Sequence, residues 1–285
     1  MFFDSFGDYI FFDGAMGTML QKRGLKPGDR PDIMNMDAPE VVESVHRMYV
    51  DAGSDIICTN TFGANAKALR GTGYAPGDII SAAVAIAKRA GRGAVKIALD
   101  IGPIGVLLEP MGDLEVDSAY ELFKEQAVAG DRAGADIAAI ETMSDISELK
   151  AAISAVVENT NLPVMATMTF DKTGRTYIGV APEEFAQAAQ KLGAAAVGLN
   201  CSLAPIEMIE TAGRLAKATD LPLIIKPNAG LPDGETGLYS LGPEEFAEQM
   251  VRLAQVVPSS RRIIVGGCCG TSPEYIKELR RMFSI

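Results

Sequence analysis

Three stretches decide the fold of this chain: AGSDIICTNT (52–61), AGADIAAIET (133–142) and LGAAAVGLNC (192–201). In each, a helix-like segment ends in Gly, two residues follow, and a short apolar run begins. Glycine suits the position just past a helix, where left-handed backbone is wanted. The run is short and unbroken, as expected of a strand covered on both faces. Working outward, two further strands follow a Leu-Pro step, LPVMATMT from Leu162 and LPLIIKPNAG from Leu221. Three more read as YIFFDGAMG from Tyr9, VKIALDIGP from Val95 and RIIVGGCCG from Arg262, which makes eight.

Amphipathic helices separate them. In PEVVESVHRMYVDAG, Val41, Val42, Val45, Met48 and Tyr49 share one face at helical spacing. In SDISELKAAISAVV, Ile146, Leu149, Ile153, Val156 and Val157 do the same. PEEF opens helices at Pro182 and Pro243, and SPEYIKEL offers Ser272 as N-cap with Pro273 at the first helical position. Strands alternating with helices imply a parallel sheet. Eight of them fit a closed (β/α)8 TIM barrel, an α/β fold, as one domain over residues 1–285. An open doubly wound sheet is the alternative, but the first strand-helix turn does not complete G-x-G-x-x-G.

Bulk properties narrow the function. Hydrophobic residues make up 48% and charged residues 22%, an ordinary globular composition. The formal net charge of −11 argues against nucleic acid and anionic membrane as main partners. No membrane-spanning segment is visible. The amino-terminal MFFDSFGDYI carries Asp4 and Asp8 and lacks a basic leader, so a cytoplasmic protein is expected. The four cysteines are not expected to form a disulfide framework in a chain of this size and compartment. The single histidine, His46, lies beside the apolar face of its helix and reads as structural.

In a barrel, function gathers where strands end. The residues just after the apolar runs are Asp13-Gly14, Thr59-Asn60-Thr61, Asp100, Glu141-Thr142, Thr167-Met168-Thr169, Asn200-Cys201, Lys226-Pro227-Asn228 and Gly267-Cys268-Cys269. Cys58, inside DIICTN, reads as core. Cys201, Cys268 and Cys269 end two strands of one mouth, and three thiolates with an open fourth position make a plausible catalytic zinc site. Zinc with three thiolates keeps a net negative charge. Such a site is a weak Lewis acid, suited to binding a substrate thiol as a thiolate rather than to making hydroxide. Three Cys without His therefore favour alkyl transfer to sulfur. GGCCG also reads as a phosphate-binding turn of a zinc-free lyase or isomerase, with Lys226 as a Schiff-base amine. The residues alone leave both readings open.

VGGCCGTSPEYI (265–276), with GLNCS (198–202) and DGAMGT (13–18), resembles the homocysteine S-methyltransferase family, and the resemblance runs from Phe11 to the last helix. DGAMGTML, the stretch from Asn35 to Asn65, and KPNAGLP (226–232) look most like the homocysteine-binding barrel of cobalamin-dependent methionine synthases. The resemblance implies Cys201, Cys268 and Cys269 as ligands of Zn2+. It implies Asp13, Gly14, Ala15 and Glu141 as contacts to homocysteine, with the amides of the Gly-rich loop on its carboxylate and the acidic side chains on its ammonium. This chain stops after the eighth helix, whereas methionine synthases continue into folate- and cobalamin-binding domains. The methyl donor is therefore expected to be a methyl-corrinoid on a separate corrinoid protein, the alternative being S-methylmethionine or a betaine.

Overall fold

The computed structural model describes residues 2–26, 28–234 and 236–284. The expected strands form as β1 Tyr9–Phe11, β2 Ile56–Cys58, β3 Lys96–Ile101, β4 Ile137–Met143, β5 Val164–Met168, β6 Ala196–Asn200, β7 Leu223–Lys226 and β8 Ile263–Val265. The main helices follow them in alternation: α1 Pro39–Asp51, α2 Pro76–Gly91, α3 Val116–Ala133, α4 Ile146–Asn159, α5 Pro182–Lys191, α6 Ile209–Ala218, α7 Pro243–Ala254 and α8 Pro273–Phe283. Gly53, Gly134 and Gly193, which precede β2, β4 and β6, have φ of +98°, +82° and +91°. A side chain there would crowd the backbone, and glycine removes that penalty.

All strands are parallel, in the sheet order β1-β8-β7-β6-β5-β4-β3-β2. The two ends meet. Phe12 bridges Ile56 in parallel register, and the Asp55 N–H donates to Phe11 O at 2.7 Å. Asp55 also stitches this seam through its side chain, accepting from Phe11 N at 2.8 Å and pairing with Arg280 of α8. The sheet therefore closes into the expected (β/α)8 TIM barrel. No helix among the described residues is long and apolar enough to cross a membrane.

Alternation along each strand divides the core in two. Ile10, Ile56, Ala98, Ile137, Met165, Ala196, Ile224 and Ile264 point into the barrel. Phe11, Ile57, Leu99, Ile140, Val197 and Ile225 point outward and pack with the helices. Phe3, on a short amino-terminal 3-10 helix, joins the inner cluster at 4% exposure. The apolar patches at the amino terminus thus serve the barrel interior.

Two local expectations change. Val157 is 44% exposed, although it shares the apolar helical spacing of α4. The buried arc of α4 centres instead on Ala151, Ala152, Ala155 and Val156, which leaves Ile146 and Val157 at its margins. Small residues let α4 pack closely, so size alone misplaces the face. Ser272 occupies the N-cap position of α8 but makes no side-chain cap bond. Its hydroxyl donates to Glu274 Oε2 instead.

Candidate active site

Cys201 leaves β6 in left-handed backbone at φ +61°, followed by Ser202 at +60°. The pair reverses the chain, and Leu203 N–H donates back to Cys201 O at 2.7 Å. The end of β7 and the segment after it hold both cysteine loops: Cys201 N–H donates to Lys226 O at 3.0 Å, Cys268 N–H to Pro227 O at 2.8 Å, and Ala229 N–H to Cys269 O at 3.0 Å. The three sulfur atoms lie within 4.8 Å of one another, with Cys201 Sγ and Cys269 Sγ at 3.9 Å. A tetrahedral ion with Zn–S of about 2.3 Å needs its sulfurs roughly 3.8 Å apart. Hydrogen bonds from Cys268 and Cys269 lower the Cys201 pKa to about 3. The same interactions, with burial, push Cys268 well up, and Cys201 pushes Cys269 to about 11.

Among the described residues, four non-glycines have positive φ, and three of them, Thr142, Cys201 and Ser202, sit at this mouth. Each left-handed non-glycine costs about 1–3 kcal/mol and needs its surroundings to hold it. For Thr142 the holder is Asn200, fully buried. Asn200 Oδ1 accepts from Thr142 N at 2.9 Å and from Thr167 Oγ1 at 2.7 Å. Its Nδ2 donates to Thr142 Oγ1 at 2.8 Å and to Cys268 Sγ at 3.8 Å. Asn200→Ala should lower the unfolding free energy by about 2 kcal/mol, because it strands a buried amide and a buried hydroxyl. Urea denaturation checks this, and an unchanged midpoint would remove Asn200 from the role.

Below the cysteines the cavity floor is acidic. Asp13 is 2% exposed, and its Oδ2 accepts from Cys58 N at 2.8 Å across the barrel seam. Burial raises its pKa to about 7. Glu141 Oε2 accepts from Lys226 Nζ at 2.5 Å, and Lys226 sits 4.3 Å from the Phe12 ring centre. Burial pulls the Lys226 pKa down, but Glu141 and the other acids outweigh it and raise the value. Lys226 is therefore a paired ammonium, which disfavours the Schiff-base reading. Cys58 joins the inner core cluster as expected, yet it also lines the cavity, and burial keeps it a thiol. His46 is fully buried and its pKa falls to about 4 through burial, in keeping with a structural residue.

The cavity measures about 240 Å3. It brings together every residue singled out above: Asp13, Gly14, Ala15, Glu141, Cys201, Cys268 and Cys269. Thr271 ties the first loop to the last, since its Oγ1 accepts from Ala15 N at 3.2 Å and donates to Cys268 O at 2.7 Å. The phosphate-cradle reading loses several of its donors here. Gly267, Cys268 and Thr271 N–H groups already bond Asp13 O, Pro227 O and Cys268 O. Asp100, Asn200 and Asn228 appear among the strand ends in sequence but without roles. The signal that could have marked two of them is parity. Asp100 and Asn200 continue the inward series of Ala98 and Ala196, just as Glu141 continues Ala139 and Lys226 continues Ile224.

The sequence model of the homocysteine S-methyltransferase family matches residues 10–283. The methionine synthases of Mycobacterium leprae (strain TN) and Mycobacterium tuberculosis (strain ATCC 25618 / H37Rv) are 34% and 35% identical to this chain over 94% of its length. The alignments cover 24% of each, so the chain spans about a quarter of the length of these curated relatives. The metallated form of the homocysteine methyltransferase MmuM from Escherichia coli superposes with a TM-score of 0.82 at 22% identity, over 99% of both chains. Its apo form gives 0.75 at 23% identity, over 98% of this chain and 97% of that one. These likenesses speak to the fold, while the family match extends over nearly all of the sequence: the chain belongs to the homocysteine S-methyltransferase family.

Proposed function

We propose that this chain methylates the thiol of homocysteine to give methionine, with zinc held by Cys201, Cys268 and Cys269. The observation that carries the proposal is the convergence of three cysteine sulfurs over a small acidic cavity. The donor set fits the ion. The sulfur spacing suits tetrahedral coordination, and Asn228 beside Cys201 keeps a buried Oδ1 with no hydrogen-bond partner among the described residues. When bound, zinc supplies a weak Lewis acid that lets the substrate sulfur lose its proton yet stay nucleophilic.

The remaining roles follow from position. Asp13 and Glu141 offer carboxylates to the substrate ammonium. Gly14 and Ala15 line the wall where the substrate carboxylate would lie, and the long 3.2 Å bond from Ala15 N to Thr271 is weak enough to be shared. Asn200, through Cys268 and Thr142, keeps the strand ends in place.

The donor we propose is a methyl-corrinoid presented at the mouth of the cavity. Three observations support it. The methionine synthases share 34–35% identity with this chain, against 22–23% for MmuM. The 240 Å3 cavity falls below the roughly 300 Å3 at which pockets for drug-sized ligands begin, so a bulky donor must stay at the mouth. Around that mouth Phe62, Val106, Leu107, Tyr177, Leu231 and Leu238 are exposed on the loops after β2, β3, β5 and β7. Exposed apolar side chains at one end of the barrel suit a contact surface. The test is to mix zinc-loaded protein, homocysteine and methylcobalamin, and to follow the cobalamin spectrum and methionine. Slow demethylation with matching methionine is expected. Brisk turnover on S-methylmethionine or glycine betaine, with none on methylcobalamin, would transfer the donor role to a small molecule. No methionine from any donor would overturn the reading.

A further inference from the structure

Asp100 ends the inward-facing series of β3 and lines the cavity floor. Its backbone is fixed: Asp100 N–H donates to Thr59 Oγ1 at 3.1 Å, and Thr61 Oγ1 donates to Asp100 O at 2.7 Å. Its side chain is not satisfied. Asp100 is 8% exposed, yet Oδ1 has no hydrogen-bond partner among the described residues. Asp13 Oδ1 is in the same condition at 2% exposure. Cys58 Sγ and carboxylate oxygens of Asp100 and Glu141 lie within 4.8 Å of one another. A buried carboxylate oxygen without a donor is expensive, and it marks a place where a donor is missing. The floor thus presents Asp13, Asp100 and Glu141 to a single internal cation, Lys226, which is already spent on Glu141. A second metal ion suits the spot poorly, since the Lys226 ammonium repels it and Cys58 stays a thiol.

We infer that Asp100 is a specificity-determining residue that, with Asp13 and Glu141, receives a primary ammonium, so that the site selects thiols carrying an amino group over those lacking it. This rests on the homocysteine reading and names the group that reading would recognise. An ammonium brings three N–H donors, enough to satisfy both orphaned oxygens and still reach Glu141. The groups facing Asp100 are Asp13 just after β1, Cys58 from β2, Glu141 from β4 and Lys226 from β7. Burial, and then Glu141, raise the Asp100 pKa well above the carboxylate range.

The test compares zinc-loaded wild type with Asp100→Asn, an isosteric change, for binding of homocysteine and of its des-amino analogue 4-mercaptobutanoate. Calorimetry gives the affinities. Wild type should prefer homocysteine. Asp100→Asn should lose roughly 10- to 100-fold in homocysteine affinity, the worth of a hydrogen bond to a charged group. Its affinity for 4-mercaptobutanoate should stay within about 2-fold, since that ligand makes no ammonium contact. Asp100→Ser serves if the Asn variant fails to keep its zinc or its melting temperature. Unchanged homocysteine affinity, or equal losses for both thiols, would overturn the assignment of Asp100 while leaving the homocysteine reading standing. A wild type that binds neither thiol would overturn both.

Discussion

Cys268→Ala should cost the protein its zinc. Cys268 is the sulfur that Asn200 reaches, and it lies within 4.8 Å of both other sulfurs. Removing it leaves two thiolates, one after β6 and one after β8, too few to hold an ion that takes four ligands in structural sites and three in catalytic ones. Zinc bound by four ligands is worth about 10–16 kcal/mol, so one thiolate carries about 3 kcal/mol, or roughly 100-fold in affinity. Methyl transfer to homocysteine should vanish with the metal. Chelator competition on reduced protein gives the affinity, and metal analysis gives the stoichiometry. Cys58→Ser is the contrast. Cys58 stands with the acidic floor rather than with the three converging sulfurs, so zinc should stay in place. Zinc retained by Cys268→Ala under the chelator that strips two-thiolate sites would remove Cys268 from the ligand set. Zinc lost from Cys58→Ser would move the metal toward the floor.

Gly198→Ala should be the most damaging single methyl group in the barrel wall. Gly198 lies in the middle of β6, in register with Ile224 of β7. A Cβ there would fall 1.9 Å from Ile224 O and 2.5 Å from Ile224 Cβ. The first of these is backbone in a hydrogen-bonded strand and cannot rotate away. Overpacking of this kind usually costs 1–3 kcal/mol, and against fixed backbone about 3 kcal/mol or more is expected. A drop of that size should lower the melting temperature by roughly 5–10 °C. The strain passes along β6 to Asn200 and Cys201, so zinc affinity should fall as well. Chemical denaturation of the zinc-loaded protein checks the first effect. A midpoint equal to wild type would mean that β6 and β7 separate more easily than their register suggests.

Much of the fold was legible in the residues themselves. Helix-ending glycines, unbroken apolar runs and prolines at helix starts are local signals, so eight strands and their helices could be read without tertiary contacts. Placing Asp13, Glu141 and the three cysteines at one mouth needed only the rule that parallel strands end together. The face of α4 was misjudged at Val157, because alanines can be more buried than larger neighbours when helices pack closely.

The sequence by itself determined which residues stand at the strand ends and what chemistry three thiols without histidine can support. Only the tertiary structure decided how those residues pair. Glu141 meets Lys226 across 85 positions, Asn200 meets Cys268 across 68, and Asp13 meets the Cys58 amide across 45. No local period encodes such distances, because they arise when the first strand closes on the second and turns alternate side chains inward. The same closure buries Asp100 without a donor, which makes an unremarkable strand-end aspartate into a feature of the cavity.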